Sequence, residues 1–339
     1  MKTVVCESFG PPEQLQQIEV PAPQPAEHQI LVDVEAAGVG FVDGLMVQGL
    51  YQVKPSLPYY PGSEFAGTIS QIGSQVGGQV SNLQAGDRVM GLASQGAFAD
   101  QLVIDAHAVV PLSENLDSAT AAGFFINYAT ALYGLCDCGH LQRGETVLIL
   151  GAAGGVGSAA ICVAKAMGAH VIAAASNPSK REAAMRYGAD ACIDYTLEDW
   201  RKQLPDCLPA GQGLNLVYDP VGGAVAEPAF RSLAPGGRFL VVGFASGTIP
   251  KLALNLALLK RSAIVGVDWG GESRADPSIN AELMQTLMSW MDSGALQPAE
   301  VCVRPMATFR EALSDQLAGN IIGKLVLSNQ VAPSAADQR

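Results

Sequence analysis

The spacing of hydrophobic positions changes part-way along the chain. Residues 1–112 contain short apolar runs broken by Gly and Pro, a pattern typical of many short strands in a compact, β-barrel-like domain. From Leu116 the apolar positions take helical spacing, and helical stretches then alternate with six short apolar runs. Six such runs predict two mononucleotide-binding halves, so we expect an α/β domain with a doubly wound parallel sheet in the order 3-2-1-4-5-6. The runs are TVLILG from residue 146, HVIAAAS from 170, ACIDY from 191, LNLVYDP from 214, RFLVVGF from 238 and AIVGVD from 263.

The first of these runs stops in a cluster of glycines. The sequence TVLILGAAGGVG, residues 146–157, is followed at once by the helical pattern SAAICVAKAMG. A turn without side chains lets a pyrophosphate approach the backbone closely, and the N–H groups and dipole at a helix start favour negative charge. The segment therefore predicts a strand, a tight turn and a helix that bind a dinucleotide, and an enzyme becomes the leading hypothesis.

The end of the second run indicates which dinucleotide binds. An NAD enzyme usually has an Asp or Glu about 20 residues beyond the glycines to bind the ribose 2′-OH. Here the strand ends at Ser176, Lys180 and Arg181 follow, and the first carboxylate is Glu182. Because Lys180 can pair with a 2′-phosphate that a carboxylate would repel, the sequence favours NADPH over NADH. The alternative is that Lys180 and Arg181 only solvate the first turn of a helix.

Length and pattern together predict two domains. A chain of 339 residues with 49% hydrophobic residues can support two cores. We predict a Rossmann domain that binds NADPH over residues 127–268. Residues 1–126 and 269–339 are expected to form a second, catalytic domain, with the active cleft between the two domains.

Charge and composition limit the partners. The net charge is −12, and residues 1–126 carry three basic residues against thirteen acidic ones, which argues against nucleic acid or an anionic membrane as a partner. No apolar run approaches the roughly 18 residues that span a bilayer, and the N-terminus lacks the long apolar segment of a signal peptide. The seven cysteines show no paired CxxC spacing. We therefore expect a cytoplasmic protein in a reducing compartment.

Seven short motifs carry a family resemblance. They are GVGFVDGLMVQGLYQ at 38–52, PYYPGSEFAG at 58–67, GDRV at 86–89, GAAGGVG at 151–157, YDPVGG at 218–223, VVGFASG at 241–247 and GKLVL at 323–327. Over nearly its whole length the chain resembles the zinc-independent quinone oxidoreductase (zeta-crystallin-like) branch of the medium-chain dehydrogenase/reductase superfamily. The resemblance implies a GroES-like β-barrel as the catalytic domain beside the Rossmann domain.

The resemblance also bears on metal binding. Zinc alcohol dehydrogenases, a better-known branch, hold a catalytic zinc through a Cys, a His and a second Cys. The matching positions here are Gly40, Ser63 and Ile126, which offer no thiolate or imidazole. Glu64 remains, but one carboxylate cannot hold zinc, and none of the four His residues has a companion ligand at useful spacing. We predict no metal, and without a metal Lewis acid the natural chemistry is reduction of an electron-poor acceptor.

The resemblance implies a set of residues around cofactor and substrate. For the cofactor they are Thr130 near the nicotinamide; Ala152, Gly154, Gly155, Val156 and Gly157 at the pyrophosphate turn; Ser176, Lys180 and Tyr195 around the 2′-phosphate; Gly243, Phe244 and Ala245 against the ribose and nicotinamide; and Val267 and Lys324 on the far side. For the substrate they are Tyr51, whose phenol either orients a carbonyl or only forms the cleft wall; Gly40, in place of a family Asn; and the pocket-lining Tyr59, Tyr60, Asn127, Tyr128 and Trp269. We expect Asp43 to cap a short helix or pair with a cation rather than transfer protons.

Three functions remain open at this point. The first is NADPH-dependent, metal-free hydride transfer to a quinone or an α,β-unsaturated carbonyl compound, with protein donors to the oxygen on which charge develops. The second is reduction of short enoyl-CoA thioesters of the acrylyl- or crotonyl-CoA type, which the few basic residues of 1–126 disfavour. The third is an NADPH-binding structural or regulatory protein without catalysis, for which Gly40 is the support. The apolar run SAIVGVD, as a bare sheet edge, predicts a homodimer.

Overall fold

The computed structural model describes residues 1–76, 83–113 and 116–331. The strands are β1 (Lys2–Val5), β2 (Gln16–Glu19), β3 (Gln29–Val39), β4 (Glu64–Ile72), β5 (Arg88–Leu92), β6 (Gln101–Asp105), β7 (Val109–Pro111), β8 (Thr146–Leu150), β9 (His170–Ala175), β10 (Ala191–Asp194), β11 (Leu214–Asp219), β12 (Leu233–Val241), β13 (Ala263–Gly266), β14 (Val301–Pro305) and β15 (Lys324–Ser328). The α-helices are α1 (Phe41–Val47), α2 (Ser118–Ala122), α3 (Phe125–Leu132), α4 (Gly155–Ala166), α5 (Pro178–Arg186), α6 (Leu204–Cys207), α7 (Ala226–Ser232), α8 (Asn255–Lys260), α9 (Trp269–Ala275), α10 (Ser278–Asp292) and α11 (Phe309–Leu317). Short 3₁₀ turns cover Pro12–Gln14, Ala106–Ala108, Trp200–Gln203, Gly223–Val225 and Met306–Thr308, and a π-helical turn covers Tyr133–Cys138.

The chain divides into two compact units, residues 1–126 with 300–339 and residues 127–299. The second unit contains the predicted parallel sheet, in which the strands lie in the order β10-β9-β8-β11-β12-β13 and all neighbours are parallel. In chain order this is 3-2-1-4-5-6, so the predicted topology is confirmed. The central strand β8 is buried along its whole length, which explains its unbroken apolar sequence.

The second unit extends beyond the boundary that the sequence indicated. Residues 269–299, which the sequence analysis placed in the catalytic domain, lie in this unit. Trp269 donates from Nε1 to Asn280 Oδ1 at 3.2 Å, which joins α9 to α10. At the end of the segment, the backbone N–H of Ala299 donates to the hydroxyl of Tyr128 in α3 at 2.8 Å. These bonds hold the segment on the second unit.

The first unit is rich in strands. Its main sheet has the order β14-β15-β3-β4-β5-β7, with β6 also paired to β3, and β1 pairs separately with β2. The pairs are antiparallel except for β14 with β15. Because β15 pairs with β3, the C-terminal segment is part of this unit. The core beneath the sheet includes Phe65, Phe98 and Phe309.

Two further properties concern the helices and the cysteines. Within the described ranges, no helix is both long enough and apolar enough to cross a membrane. All seven cysteines have free thiols, and Cys6 and Cys162 are buried.

Candidate functional site

The glycine turn follows β8 and leads into α4. A Cβ on Gly157 would overlap the backbone around Gly151, so only glycine lets the first turn of α4 lie against the preceding turn. At Gly154 the nearest atom to an added Cβ is 3.5 Å away, and this N-cap residue has no side-chain cap. A 12-residue helix therefore begins with bare backbone at the carboxyl end of β8. Bare N–H groups and the helix dipole at this place are what a pyrophosphate requires.

A second group lies where β9 and β10 end. The phenol of Tyr195 is hydrogen-bonded to the side chain of Ser176, and burial raises the pKa of Tyr195. Arg181 donates from Nη1 to Asp194 Oδ2 at 2.8 Å, so this guanidinium holds β10 against α5. Lys180 lies beside it in the first turn of α5. Ser176 and Tyr195, two of the predicted 2′-phosphate residues, are thus in contact, and Arg181 is paired with Asp194.

The segment 243–245 lies on the turn that follows β11. Its first and last N–H groups donate to the carbonyl oxygens of Asp219 and Pro220, at 3.2 and 3.1 Å. The ring of its central Phe is so close to Gly222 that a Cβ there would lie 2.9 Å from the ring. Val267 follows β13 and donates from its N–H to the carbonyl of residue 241. The sequence analysis did not identify Asp219 as a site residue, although a charged residue before PVGG at the end of a buried strand was the signal.

The predicted pocket residues of the second unit are mostly core residues within that unit. Tyr128 and Trp269 are 5% and 6% exposed, and Asn127 is also buried, whereas Thr130 is half-buried. The hydroxyl of Tyr128 accepts the Ala299 bond, and burial raises the pKa of Tyr128 well above its ordinary value. The Tyr128 hydroxyl is therefore engaged by the backbone of its own unit.

The first unit contains the remaining substrate residues. Gly40 precedes α1, and its N–H donates to Asp43 Oδ2 at 2.7 Å. Burial raises the pKa of Asp43 to about 6. Tyr51 and Tyr60 are half-buried, but Tyr59 is only 1% exposed and belongs to the core, where burial raises its pKa. Tyr51 and Tyr60 are thus the predicted substrate phenols of this unit that keep contact with solvent.

A buried ion pair joins β4 to β15. Lys324 and Glu64 are 6% and 1% exposed, and the ammonium contacts the carboxylate directly. The other carboxylate oxygen accepts the backbone N–H of Ile126 at 3.0 Å. The family resemblance implied a cofactor role for Lys324, and its pairing with Glu64 was not predicted from the sequence. A Glu and a Lys at the first positions of two strands, each followed directly by apolar residues, were the signal.

Comparison with known proteins identifies the family. Two family models match: the alcohol dehydrogenase GroES-like domain over residues 26–114 and the zinc-binding dehydrogenase over residues 155–289. The quinone oxidoreductase-like protein 2 of Rattus norvegicus is 34% identical over 332 residues, which cover 96% of this chain and 92% of that protein. This chain belongs to the quinone oxidoreductase-like family of medium-chain dehydrogenases/reductases. The predicted family is confirmed, and with it membership in an oxidoreductase family.

Solved structures of related proteins have the same fold. The Escherichia coli quinone oxidoreductase complexed with NADPH is 28% identical with a TM-score of 0.86, covering 97% of this chain and 100% of that one. The CurK enoyl reductase is 26% identical with a TM-score of 0.84, covering 96% and 98%. In this quinone oxidoreductase-like chain, the strand-rich unit is therefore the GroES-like domain and the parallel sheet is the Rossmann domain, as predicted.

The zinc-binding description raises the question of a metal in this quinone oxidoreductase-like chain. Gly40, Ser63 and Ile126 stand where the resemblance places the zinc ligands, and none carries a thiolate or imidazole. Across the part of the chain that the structure describes, no three His, Cys, Asp or Glu side chains form a group that could hold a metal ion. The nearby carboxylate of Glu64 is paired with Lys324. This set of side chains does not fit a catalytic zinc.

Proposed function

We propose that this chain is an NADPH-dependent, metal-free reductase that transfers hydride to a quinone or an α,β-unsaturated carbonyl compound. The observation that carries the proposal is the bare glycine turn after β8 beside a strand β9 that ends in Ser176 without a carboxylate. The similar Escherichia coli enzyme, which forms a complex with NADPH, and the name of the rat relative support it. When bound, NADPH supplies the hydride.

The residues of this chain have separate tasks in that reaction. The backbone of 152–157 would hold the pyrophosphate, and Ser176, Lys180 and Tyr195 would hold the 2′-phosphate. We assign to Tyr51 a hydrogen bond to the acceptor oxygen, because this phenol keeps solvent contact. Solvent supplies the proton after hydride transfer, so the reaction requires no strong acid from the protein.

The phosphate assignment is tested by comparing NADPH with NADH. Loss of a charge-assisted bond costs about 1.5–3 kcal/mol, so Lys180→Ala should weaken NADPH binding about 10- to 150-fold and leave NADH binding unchanged. Arg181→Ala is the matched control. Because Arg181 is bonded to Asp194, its loss should lower stability and affect both cofactors alike. Equal losses for NADPH and NADH in Lys180→Ala would refute the 2′-phosphate role.

The Tyr51 assignment is tested by turnover on 1,4-benzoquinone. Tyr51→Phe should lower kcat without changing the affinity for NADPH, since the phenol acts on the acceptor. Tyr133→Phe, at another half-buried tyrosine, is the control and should behave as the wild type. An unchanged rate in Tyr51→Phe would remove the phenol from the mechanism.

A second candidate function is reduction of enoyl thioesters, which the similarity to the CurK enoyl reductase favours. Coenzyme A is a polyanion, however, and residues 1–126 carry only three basic residues. A panel of benzoquinone, a simple enone and crotonyl-CoA decides between them. NADPH binding without turnover across the panel would instead favour a non-catalytic role.

We also propose a homodimer formed across β13, the terminal strand of the parallel sheet. Ile264 in this strand is 40% exposed, and three leucines of the neighbouring α8 region are 74–79% exposed. Pairing with a second copy would bury this apolar surface. Sedimentation should give a dimer for the wild type and a monomer for Ile264→Lys; a monomeric wild type would contradict the proposal. Cytoplasmic location and the absence of nucleic-acid or membrane partners stay predictions from composition.

A further inference from the structure

We propose that Asp219 is a positioning residue for the nicotinamide side of the cofactor site. Its carboxylate sets the turn 219–223, and this turn fastens the loop 243–248 to the glycine turn at Gly151. The inference rests on the proposed NADPH binding and adds a residue that acts through the backbone around it.

The carboxylate of Asp219 is built into the turn. The residue ends β11 and is 2% exposed. Its Oδ1 accepts the N–H groups of Val221 and Gly222, each at 2.8 Å. Gly222 and Gly223 follow with φ of +66° and +65°, so the chain reverses through two left-handed residues. The carboxylate therefore fixes the direction in which the turn leaves the sheet.

One side of the turn contacts the pyrophosphate turn. A Cβ on Gly151 would lie 2.7 Å from Cγ2 of Val221, so the Val221 side chain packs on the first glycine after β8. Val221 is also the residue whose N–H the Asp219 carboxylate accepts. The position of the carboxylate is thereby transmitted to the turn before α4.

The other side of the turn holds the loop after β12. Three backbone hydrogen bonds join residues 220–223 to residues 245–248, and a Cβ on Gly223 would lie 2.6 Å from Oγ of Ser246. The loop therefore has no independent position. The bonds run from Ala245 N to Pro220 O at 3.1 Å, from Ser246 N to Val221 O at 2.9 Å and from Gly223 N to Thr248 O at 2.9 Å.

Loss of the Asp219 carboxylate should weaken binding of the nicotinamide half of the cofactor more than binding of the half that carries the 2′-phosphate. The resemblance assigns segment 243–245 to the ribose and nicotinamide. The 2′-phosphate residues Ser176 and Lys180 follow β9, and β8 separates that strand from β11 in the sheet. Without the Asp219 acceptor, the turn 219–223 and the loop 243–248 are no longer held in their positions. The residues around the 2′-phosphate keep their own contacts.

The experiment compares Asp219→Ala and Asp219→Asn with the wild type. Calorimetry gives the Kd for NADPH and for adenosine 2′-monophosphate, which lacks the pyrophosphate, and turnover on benzoquinone gives kcat. We expect Asp219→Ala to raise the Kd for NADPH at least about fivefold and to lower kcat, with the Kd for the 2′-monophosphate unchanged. Asp219→Asn should rescue both quantities, because its amide oxygen can accept the same two N–H groups. Asp276→Asn is the control, since exposed Asp276 accepts Ser278 N in a similar turn elsewhere.

A second pair of variants keeps the test sound if Asp219→Ala does not fold. Gly223→Ala should likewise weaken NADPH binding and leave binding of the second ligand unchanged, because its methyl group would displace Ser246 from the turn. Gly211→Ala is the matched control, with φ of +76° and no atom within 4 Å of the added Cβ. Equal losses for both ligands, unchanged NADPH binding, or an Asn variant as impaired as the Ala variant would overturn the proposal. A wild type that binds no NADPH would refute the proposed function as well. If the wild type binds NADPH but the variants affect the two ligands equally, only the positioning role is refuted.

Discussion

The buried pair of Glu64 and Lys324 gives the sharpest prediction for stability. The two side chains are 1% and 6% exposed, so neither charge can be solvated when its partner is removed. We consider Lys324→Met, Glu64→Gln and the double variant. Each single variant removes one charge of the pair and leaves the other buried, with Asp43 as the remaining carboxylate that interacts with Lys324. The double variant removes both charges and keeps similar volumes.

The expected sizes follow from that burial. Removal of one partner of a buried pair costs about 3–5 kcal/mol, which corresponds to about 6–20 °C in the melting temperature of a unit of this size. Replacement of both partners by uncharged groups is often neutral, so the double variant should be more stable than either single variant. The Gln of Glu64→Gln can still accept the N–H of Ile126, so this bond is not lost.

Calorimetric unfolding of the four proteins measures this cycle. Arg304→Met is the control in the same unit, because the pair of Arg304 and Asp315 is about a third exposed and should contribute less than about 1 kcal/mol. If the loss in the double variant equals the sum of the single losses, the two charges do not interact and the argument fails. The same variants test the implied cofactor role of Lys324. We expect the folded Lys324→Met protein to bind NADPH as the wild type does, since the ammonium is paired with Glu64.

Three further predictions concern protonation, packing and metal content. Burial raises the pKa of Asp43 from 3.8 to about 6, so the wild type should lose stability as the pH rises through that window. In urea unfolding, Asp43→Asn should have the same free energy of unfolding as the wild type near pH 4 and exceed it at pH 8 by about 1–3 kcal/mol. Gly157→Ala should lower the melting temperature because its methyl group meets the backbone at Gly151, whereas Gly154→Ala should melt normally and bind NADPH less tightly. Metal analysis of protein produced with added zinc should show no stoichiometric zinc. One zinc per chain would contradict the prediction, based on Gly40, Ser63 and Ile126, that the chain binds no metal.

The Rossmann sheet was predictable because its signal is local. Parallel strands covered on both faces require continuous apolar runs, as in Leu148 to Leu150, and each run therefore predicts one strand. The glycine turn is local as well, since Gly157 is required by a neighbour only six residues away. The order of the strands then followed from the right-handed connections that such sheets use.

The less predictable features depend on contacts between distant residues. Lys324 pairs with a carboxylate 260 positions earlier, and apolar spacing shows that both strands are buried but not which polar residues meet. Tyr59 and Tyr60 are adjacent and of one type, yet Tyr59 is core and Tyr60 is half-buried. The backbone of Tyr59 pairs with the distant Cys6, a contact that the local sequence does not show. Residues 269–299 belong to the second unit, and the bond that joins Ala299 to Tyr128, 171 positions earlier, has no signal in the composition.

Two carboxylates at the ends of strands in the parallel sheet follow a common arrangement. Asp194 ends β10 and is bonded to Thr196 and Arg181, and hydrogen bonding lowers its pKa. Asp219 ends β11 and directs its Oδ1 to two backbone N–H groups. Both negative charges are thus engaged by donors of the Rossmann domain itself. In a chain with a net charge of −12, these donors offset part of the repulsion that the two carboxylates would exert on an anionic cofactor. The proposed preference for NADPH over NADH is assigned to Ser176, Lys180 and Tyr195, and the contribution of the carboxylates at this edge is the same for both cofactors.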